Sequence, residues 1–131
     1  MYKIVSIINN IDKLMGLMRK CAKERDFVGQ KGLLDISEFA GYSKVFFREI
    51  DKLPECFYGD EEGMLDIDEI YGLSVSSRRK FTTAIISRSQ HAKEYVKSYL
   101  EQYESLVEKI HGTYLIIGQD LSSPDDFAEV L

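Results

Sequence analysis

The sequence predicts a mainly α-helical protein: a helix-turn-helix pair with a small β-hairpin in the first half and one long helix in the second. Three observations carry that expectation. Apolar residues recur at three- and four-residue steps between Ile4 and Cys21, which is the spacing of an amphipathic helix. The stretch LLDISEFAGYSKVFFREID, Leu33 to Asp51, holds a glycine and a serine where one short helix would hand over to another. From Arg78 to His111 there is neither proline nor glycine to stop a helix. The organisation expected is a unit over residues 1–73 and a long helix with an acidic tail over residues 74–131.

Residues 3–25 place Ile4, Ile8, Ile11, Met15, Met18 and Cys21 on one helical face, although the Ile-Val-Ser-Ile-Ile start would also suit a short strand. Lys13, Arg19, Lys20, Lys23 and Arg25 crowd the second half. They read either as a solvated face or as a face that contacts phosphates. Asp26 to Lys31 contains two glycine-linked turn positions and reads as a connection.

Within Leu33 to Asp51, Ile36, Ala40, Tyr42, Phe47 and Ile50 fall at helical spacing around Gly41. Glycine adopts a left-handed turn without a Cβ penalty, so a first helix is expected over about 36–40 and a stop at Gly41. Ser43 would cap a second helix over about 44–52, ended before Pro54. This stretch resembles the helix-turn-helix of the excisionase and MerR-like winged-helix proteins, which include phage regulators and small terminase subunits. The resemblance covers roughly residues 31–73. It implies a recognition helix in the major groove of double-stranded DNA, with Ser43, Lys44, Arg48 and Lys52 facing it. Lys20, Lys23, Lys31, Arg78, Arg79 and Lys80 would hold flanking phosphates. Lys44 and Arg48 lie four apart on one face, so both can reach a phosphate or a guanine edge. If the motif is only a structural helix pair, they are surface residues with Glu49 and Lys52 as partners.

The next stretch, PECFYGDEEGMLDIDEIYGL, would supply the hairpin wing, turning at Gly59 to Gly63, and then a short helix capped by Asp66 or Asp68. Its acids, Asp60, Glu61, Glu62, Asp66, Asp68 and Glu69, stand where a DNA-reading wing would carry Lys or Arg. Aligned as a calcium loop on Gly63, the stretch has Tyr58 at the first ligand position, which normally supplies an aspartate, so no metal is assigned.

Gly72 closes that unit, and Ser74, Ser76 and Ser77 offer caps for the long helix. Along it Phe81, Ile85, Ala92, Val96, Tyr99, Tyr103, Leu106 and Ile110 recur, with heptad steps from Ala92 onward. A helix of about 33 residues would be about 50 Å long. Val96, Tyr99, Tyr103, Leu106 and Ile110 would then pair with a second chain in a homo-oligomer, or fold back on the N-terminal helix of their own. After Gly112, Thr-Tyr-Leu-Ile-Ile-Gly suits a short strand or a docking segment. Ser123-Pro124-Asp125-Asp126 is a helix-start signal ahead of Phe127, Val130 and Leu131.

The chain has 131 residues, 44% apolar content and a formal charge of −5, enough to bury a core. Residues 1–57 hold ten Lys/Arg against eight Asp/Glu, and residues 58–131 seven against fourteen. Basic groups thus gather with the expected reading head. Two cysteines without metal-like spacing suit a cytoplasmic setting, and no signal or membrane stretch is evident. Neither His91 nor His111 has carboxylates at ligand spacing, no thiol is activated by context, and phosphate loops and nucleophile elbows are missing. The sequence therefore points to no catalytic residues and no cofactor. The expected function is DNA binding as a dimer or higher oligomer, in regulation or phage and plasmid DNA handling. The alternative is a protein-interaction module, such as a phage-encoded inhibitor whose acidic surface at Asp60, Glu61 and Glu62 occupies a basic site on a host protein.

Overall fold

The computed structural model describes residues 3–88 and 90–120. The N-terminal periodicity forms α1 over Lys3–Glu24, burying Ile4, Ile7, Ile8, Ile11, Met15, Met18 and Cys21. The alternative of an initial strand is not adopted. The chain reverses through Phe27, whose φ of 58° is left-handed. That costly conformation is held from two sides: the Asp35 carboxylate accepts a hydrogen bond from the Phe27 amide at 3.2 Å, and the ring is buried. Gly32 permits the close approach, since a Cβ there would stand 2.6 Å from the Phe27 carbonyl carbon.

The helix-turn-helix expectation is corrected here. Residues Gly29–Ile50 form one continuous helix, α2, that passes through Gly41 and Ser43 without a break. The buried face is Ile36, Phe39, Ser43, Phe46 and Ile50, a run of three- and four-residue steps that continues across the glycine. A mid-helix glycine costs about 1 kcal/mol. Burying Phe39, Phe46 and Ile50 on one side contributes roughly 1.5–3 kcal/mol each, so the continuous helix wins.

The hairpin wing is corrected too. The described residues contain no β-strand. After α2, Asp51 to Leu53 turn, Glu55–Phe57 make a single 3-10 turn, and one isolated bridge joins Tyr58 to Leu65. Leu65 donates its amide to the Phe57 carbonyl at 2.8 Å and Gly59 donates to the Leu65 carbonyl at 3.1 Å. Leu53, Phe57 and Leu65 are buried, so this loop seals one end of the helices instead of projecting as a wing.

Helix α3 spans Ile67–Ser87, with the Asp66 carboxylate accepting from the amides of Asp68 and Glu69 as its N-cap. It continues through Gly72, and the sequence boundary at residue 73 falls inside it. The expected long helix is divided: α3 ends at Arg88 in a left-handed conformation, φ 52°, and α4 runs Ala92–Asp120. No breaker residue causes this. A continuous rod would leave two apolar stripes in water, whereas folding back buries both for the cost of one strained residue, roughly 1–2 kcal/mol. The segment after Gly112 is not a strand but the last turns of α4.

Ion pairs and polar contacts fix the directions. Asn10 meets Glu49 at 2.8 Å and Arg25 meets Glu38 at 3.2 Å, so α1 and α2 are antiparallel. Asp12 meets His111 at 2.8 Å and Arg19 meets Glu104 at 3.3 Å, so α1 and α4 are antiparallel. Ser76 meets Tyr99 at 2.6 Å, setting α3 against α4, and Phe39 packs edge-on to Phe81. The result is an up-down-up-down four-helix bundle. At its centre lies Tyr103, fully buried, with ring centroids of Phe46 at 5.1 Å and Phe47 at 5.3 Å.

The expected oligomer seam is consumed within this bundle. Val96, Tyr99, Tyr103 and Ile110 are buried against the chain's own helices. Val107, not Leu106, continues that face, Leu106 being only partly buried. No described helix is long and apolar enough to cross a membrane. The Ser123–Asp126 helix-start signal and Phe127, Val130 and Leu131 lie outside the described residues.

Candidate functional site

Two adjacent helices, α2 and α3, leave a groove of about 780 Å³ between their outer faces. On α2 its wall is Ala40, Lys44, Phe47 and Arg48, with Asp51 at the helix C-cap; on α3 it is Ile67, Ile70, Tyr71, Ser74, Arg78, Thr82 and Ile85. Those α3 positions are steps of three and four along one helical face, so the wall spans about 27 Å at 1.5 Å per residue. Phe81 and Ile50, both core residues, form part of the floor. Tyr58, from the sealing loop, closes one end. The rim is unusually apolar for a water-facing surface: Tyr71 is 70% exposed and Ile67 61%.

Charge is biased on this face. Lys44 and Arg48 come from α2 and Arg78 from α3, against the carboxylate of Asp51. The combination of an apolar trough and cations along it suits a ligand that is itself amphipathic and anionic. Smaller clefts lie elsewhere on the described residues. One of about 470 Å³ between α3 and α4 has Glu69 and Lys109 on its walls; one of about 320 Å³ lies near Phe27 and Arg88.

The residues expected to touch DNA are dispersed differently from their grouping in sequence. Lys44, Arg48 and Arg78 converge on the groove. Ser43 does not act as a cap or reader: it is 4% exposed and its hydroxyl meets that of Tyr103 at 2.7 Å. Lys52 is bound to Glu49 at 2.6 Å. Lys80 lies over the Tyr95 ring at 5.0 Å, toward α4. Lys20 and Lys23 are exposed on α1, Lys31 on α2 and Arg79 on α3, none of them lining the groove. Asp60, Glu61 and Glu62 are exposed at the tip of the sealing loop, also off the groove. Sequence reasoning missed Tyr71, Ile67 and Ile70. Their signal is the apolar i, i+3, i+4 set in IDEIY, which the sequence pattern divides between a wing and a short helix.

Neither cysteine lines the groove. Burial pushes the Cys21 thiol up to about 12, with Glu38 beside it adding to the effect, and burial raises the Cys56 thiol too. Neither is a thiolate nucleophile at neutral pH. Among the described residues no group of three or more His, Cys, Asp or Glu converges as a metal site. Glu49 is a buried acid of α2, with Asn10 and Lys52 on it. Burial works to raise its pKa, but hydrogen bonds from Lys52 and Asn10 outweigh that and hold it below its ordinary value. It serves the α1–α2 packing. Comparison of the chain with protein-family models, with characterised proteins and with solved structures finds no match.

Proposed function

We propose that this protein is a protein-binding module whose α2–α3 groove receives an acidic amphipathic helix from a partner. The observation that supports it best is the coincidence in one trough of an apolar floor, exposed Ile67 and Tyr71, and the three cations Lys44, Arg48 and Arg78. A partner helix would bury its i, i+3, i+4, i+7 apolar residues along the trough and set its carboxylates against the cations. The apolar contact supplies affinity; the charges favour acidic partners and speed encounter.

DNA binding is a second reading, supported by the same three cations standing on one face. It would act through phosphate contacts from two whole helices, not by a short recognition helix. Three phosphate contacts give a log–log salt slope of only about −2.7, and a net charge of −5 opposes approach to a polyanion. An apolar trough adds nothing to duplex recognition through phosphates.

The test is fluorescence anisotropy with two probes. One is a fluorescein-labelled 16-residue amphipathic peptide with Leu and Phe on one face and Glu on the other; the second is a labelled random-sequence duplex. The peptide is expected to bind, and the double variant Arg48→Glu, Arg78→Glu to weaken it at least about tenfold. Glu61→Ser with Glu62→Ser, at the loop tip, is expected to leave binding unchanged. Duplex binding lost in the arginine variant, with no peptide binding, would replace this reading by the nucleic-acid one.

A further inference from the structure

A helix needs glycine where φ is positive or where a Cβ would collide with neighbouring atoms. Neither holds at Gly41: its φ is not positive, and an added Cβ would meet nothing within 4 Å. Inside the chain the residue only weakens α2. Gly72 is equally open, so openness by itself selects no site. What distinguishes Gly41 is its place on the α2 wall of the groove, which Gly72 does not line.

The rings of Phe39 and Phe81, with centroids 5.4 Å apart, set the register of the antiparallel α2 and α3. Counted from that pair, Gly41 is level with position 79 and Lys44 with position 76. Arg78 therefore stands about 1.5 Å and Lys44 about 4.5 Å along the groove from the level of Gly41, both toward the end that Tyr58 closes. Ala40 and Thr82 complete the walls here, and Phe81 lies beneath. The place is a low saddle with an aromatic floor and cations on one side. Among the described residues the ion pairs lie elsewhere and engage none of Lys44, Arg48 and Arg78. Such a saddle matches a bulky apolar side chain with a carboxylate one helical turn away from it.

We propose that the partner helix crosses α2 at Gly41. It seats a leucine or phenylalanine in the saddle over Phe81 and sets a glutamate or aspartate, one turn along the same helix, between Lys44 and Arg78. Helix axes approach to about 8–10 Å according to the side chains between them, and the missing Cβ lets the partner come in at the close end of that range. The proposal rests on the reading of the groove as a site for an acidic amphipathic helix and names that helix's anchor. Gly41→Ala therefore acts in two opposite directions, strengthening α2 and raising the wall against the partner.

The experiment compares the full chain with Gly41→Ala, Gly41→Leu and Gly72→Ala, by urea denaturation and by anisotropy with the labelled amphipathic peptide. A second peptide has its central Phe replaced by Ala. Gly41→Ala and Gly72→Ala are both expected to raise the denaturation midpoint. Only the substitutions at Gly41 are expected to weaken the peptide, Gly41→Ala by about threefold and Gly41→Leu by about tenfold or more. The loss at Gly41→Leu should shrink for the second peptide, whose smaller central residue leaves room in the saddle. Equal affinity for the unsubstituted chain and both Gly41 variants would overturn the anchor, and a loss at Arg48→Glu with Arg78→Glu would then keep the groove as the site. Weakening by Gly72→Ala as large as by Gly41→Ala would overturn it too, because stiffening of a helix and not filling of the saddle would be the cause. Absence of peptide binding to the unsubstituted chain would remove the groove reading and the anchor together.

Discussion

The hydroxyls of Ser43 and Tyr103 meet at 2.7 Å inside the bundle, where neither can turn to water. Burial, with Ser43 and Ser77 partly offsetting it, pushes the Tyr103 phenol up to about 12, so the pair stays neutral and one hydroxyl donates to the other. Tyr103→Phe strands the Ser43 hydroxyl, which costs about 1–3 kcal/mol, and Ser43→Ala leaves the phenol with Ser77 alone. Ser43→Ala and Tyr103→Phe are each expected to lower stability by that order in urea titrations, and the double variant by less than their sum. A surface reader of DNA at position 43 would show no such coupling. Glu49 gives a pH signature. Its folded pKa lies below the ordinary 4.5, so its ionised form stabilises the fold above the unfolded pKa. That contribution is lost as pH falls through the lower, folded value. Glu49→Gln is expected to destabilise at pH 7 and to flatten the fall of stability with acid below about pH 4.5, followed by thermal unfolding at stepped pH.

Helix continuity is the property that separates this fold from a helix-turn-helix, and glycine substitutions measure it. A Cβ added at Gly41 meets no heavy atom within 4 Å, and the same holds at Gly72. Both sit inside helices, so Gly41→Ala and Gly72→Ala are expected to raise stability by about 0.5–1 kcal/mol each. In a left-handed turn Gly41→Ala would do the opposite. Gly32→Ala is the contrasting case, because its Cβ would drive into the Phe27 backbone at 2.6 Å. That overpacking should cost about 1–3 kcal/mol, read as a shift of the denaturation midpoint.

At the scale of the molecule, one core runs through all four helices, from Ile4 and Ile11 on α1 to Tyr103 and Ile117 on α4. Val96→Asp or Ile110→Asp is therefore expected to unfold the chain, seen as lost helical circular dichroism. If those residues were an intermolecular seam, the same variants would stay helical and only change mass in sedimentation. A fragment of residues 1–73 keeps α1 and α2 but loses Phe81, Val96 and Tyr103 from its core, so it is expected to be largely unfolded in isolation. The whole chain should unfold in one transition that coincides by circular dichroism and tyrosine fluorescence.

Local pattern and tertiary context divide the rest. Helix α1 was legible almost residue by residue, because six apolar side chains at one period leave a single face to bury. Lys44 and Arg48 were legible as neighbours for the same reason: four residues apart on any helix is adjacent. The sequence by itself thus determined that the chain is mainly helical, which faces of α1 and α4 are apolar, and that its acids concentrate after residue 58. The length of α2, the break after Ser87 and the groove were decided only by packing. Gly41 is a stop signal in isolation, and overriding it takes the burial of Phe39, Phe46 and Ile50 against three other helices. Ser87 to His91 contains no breaker, yet the chain turns there because only a reversal lets α3 and α4 cover each other's apolar stripes. Arg78 stands thirty residues from Arg48 and shares a groove with it for the same cause. Local propensity is worth a kilocalorie or so per residue, whereas a buried helical face is worth several times that, so where the two conflict the tertiary structure prevails.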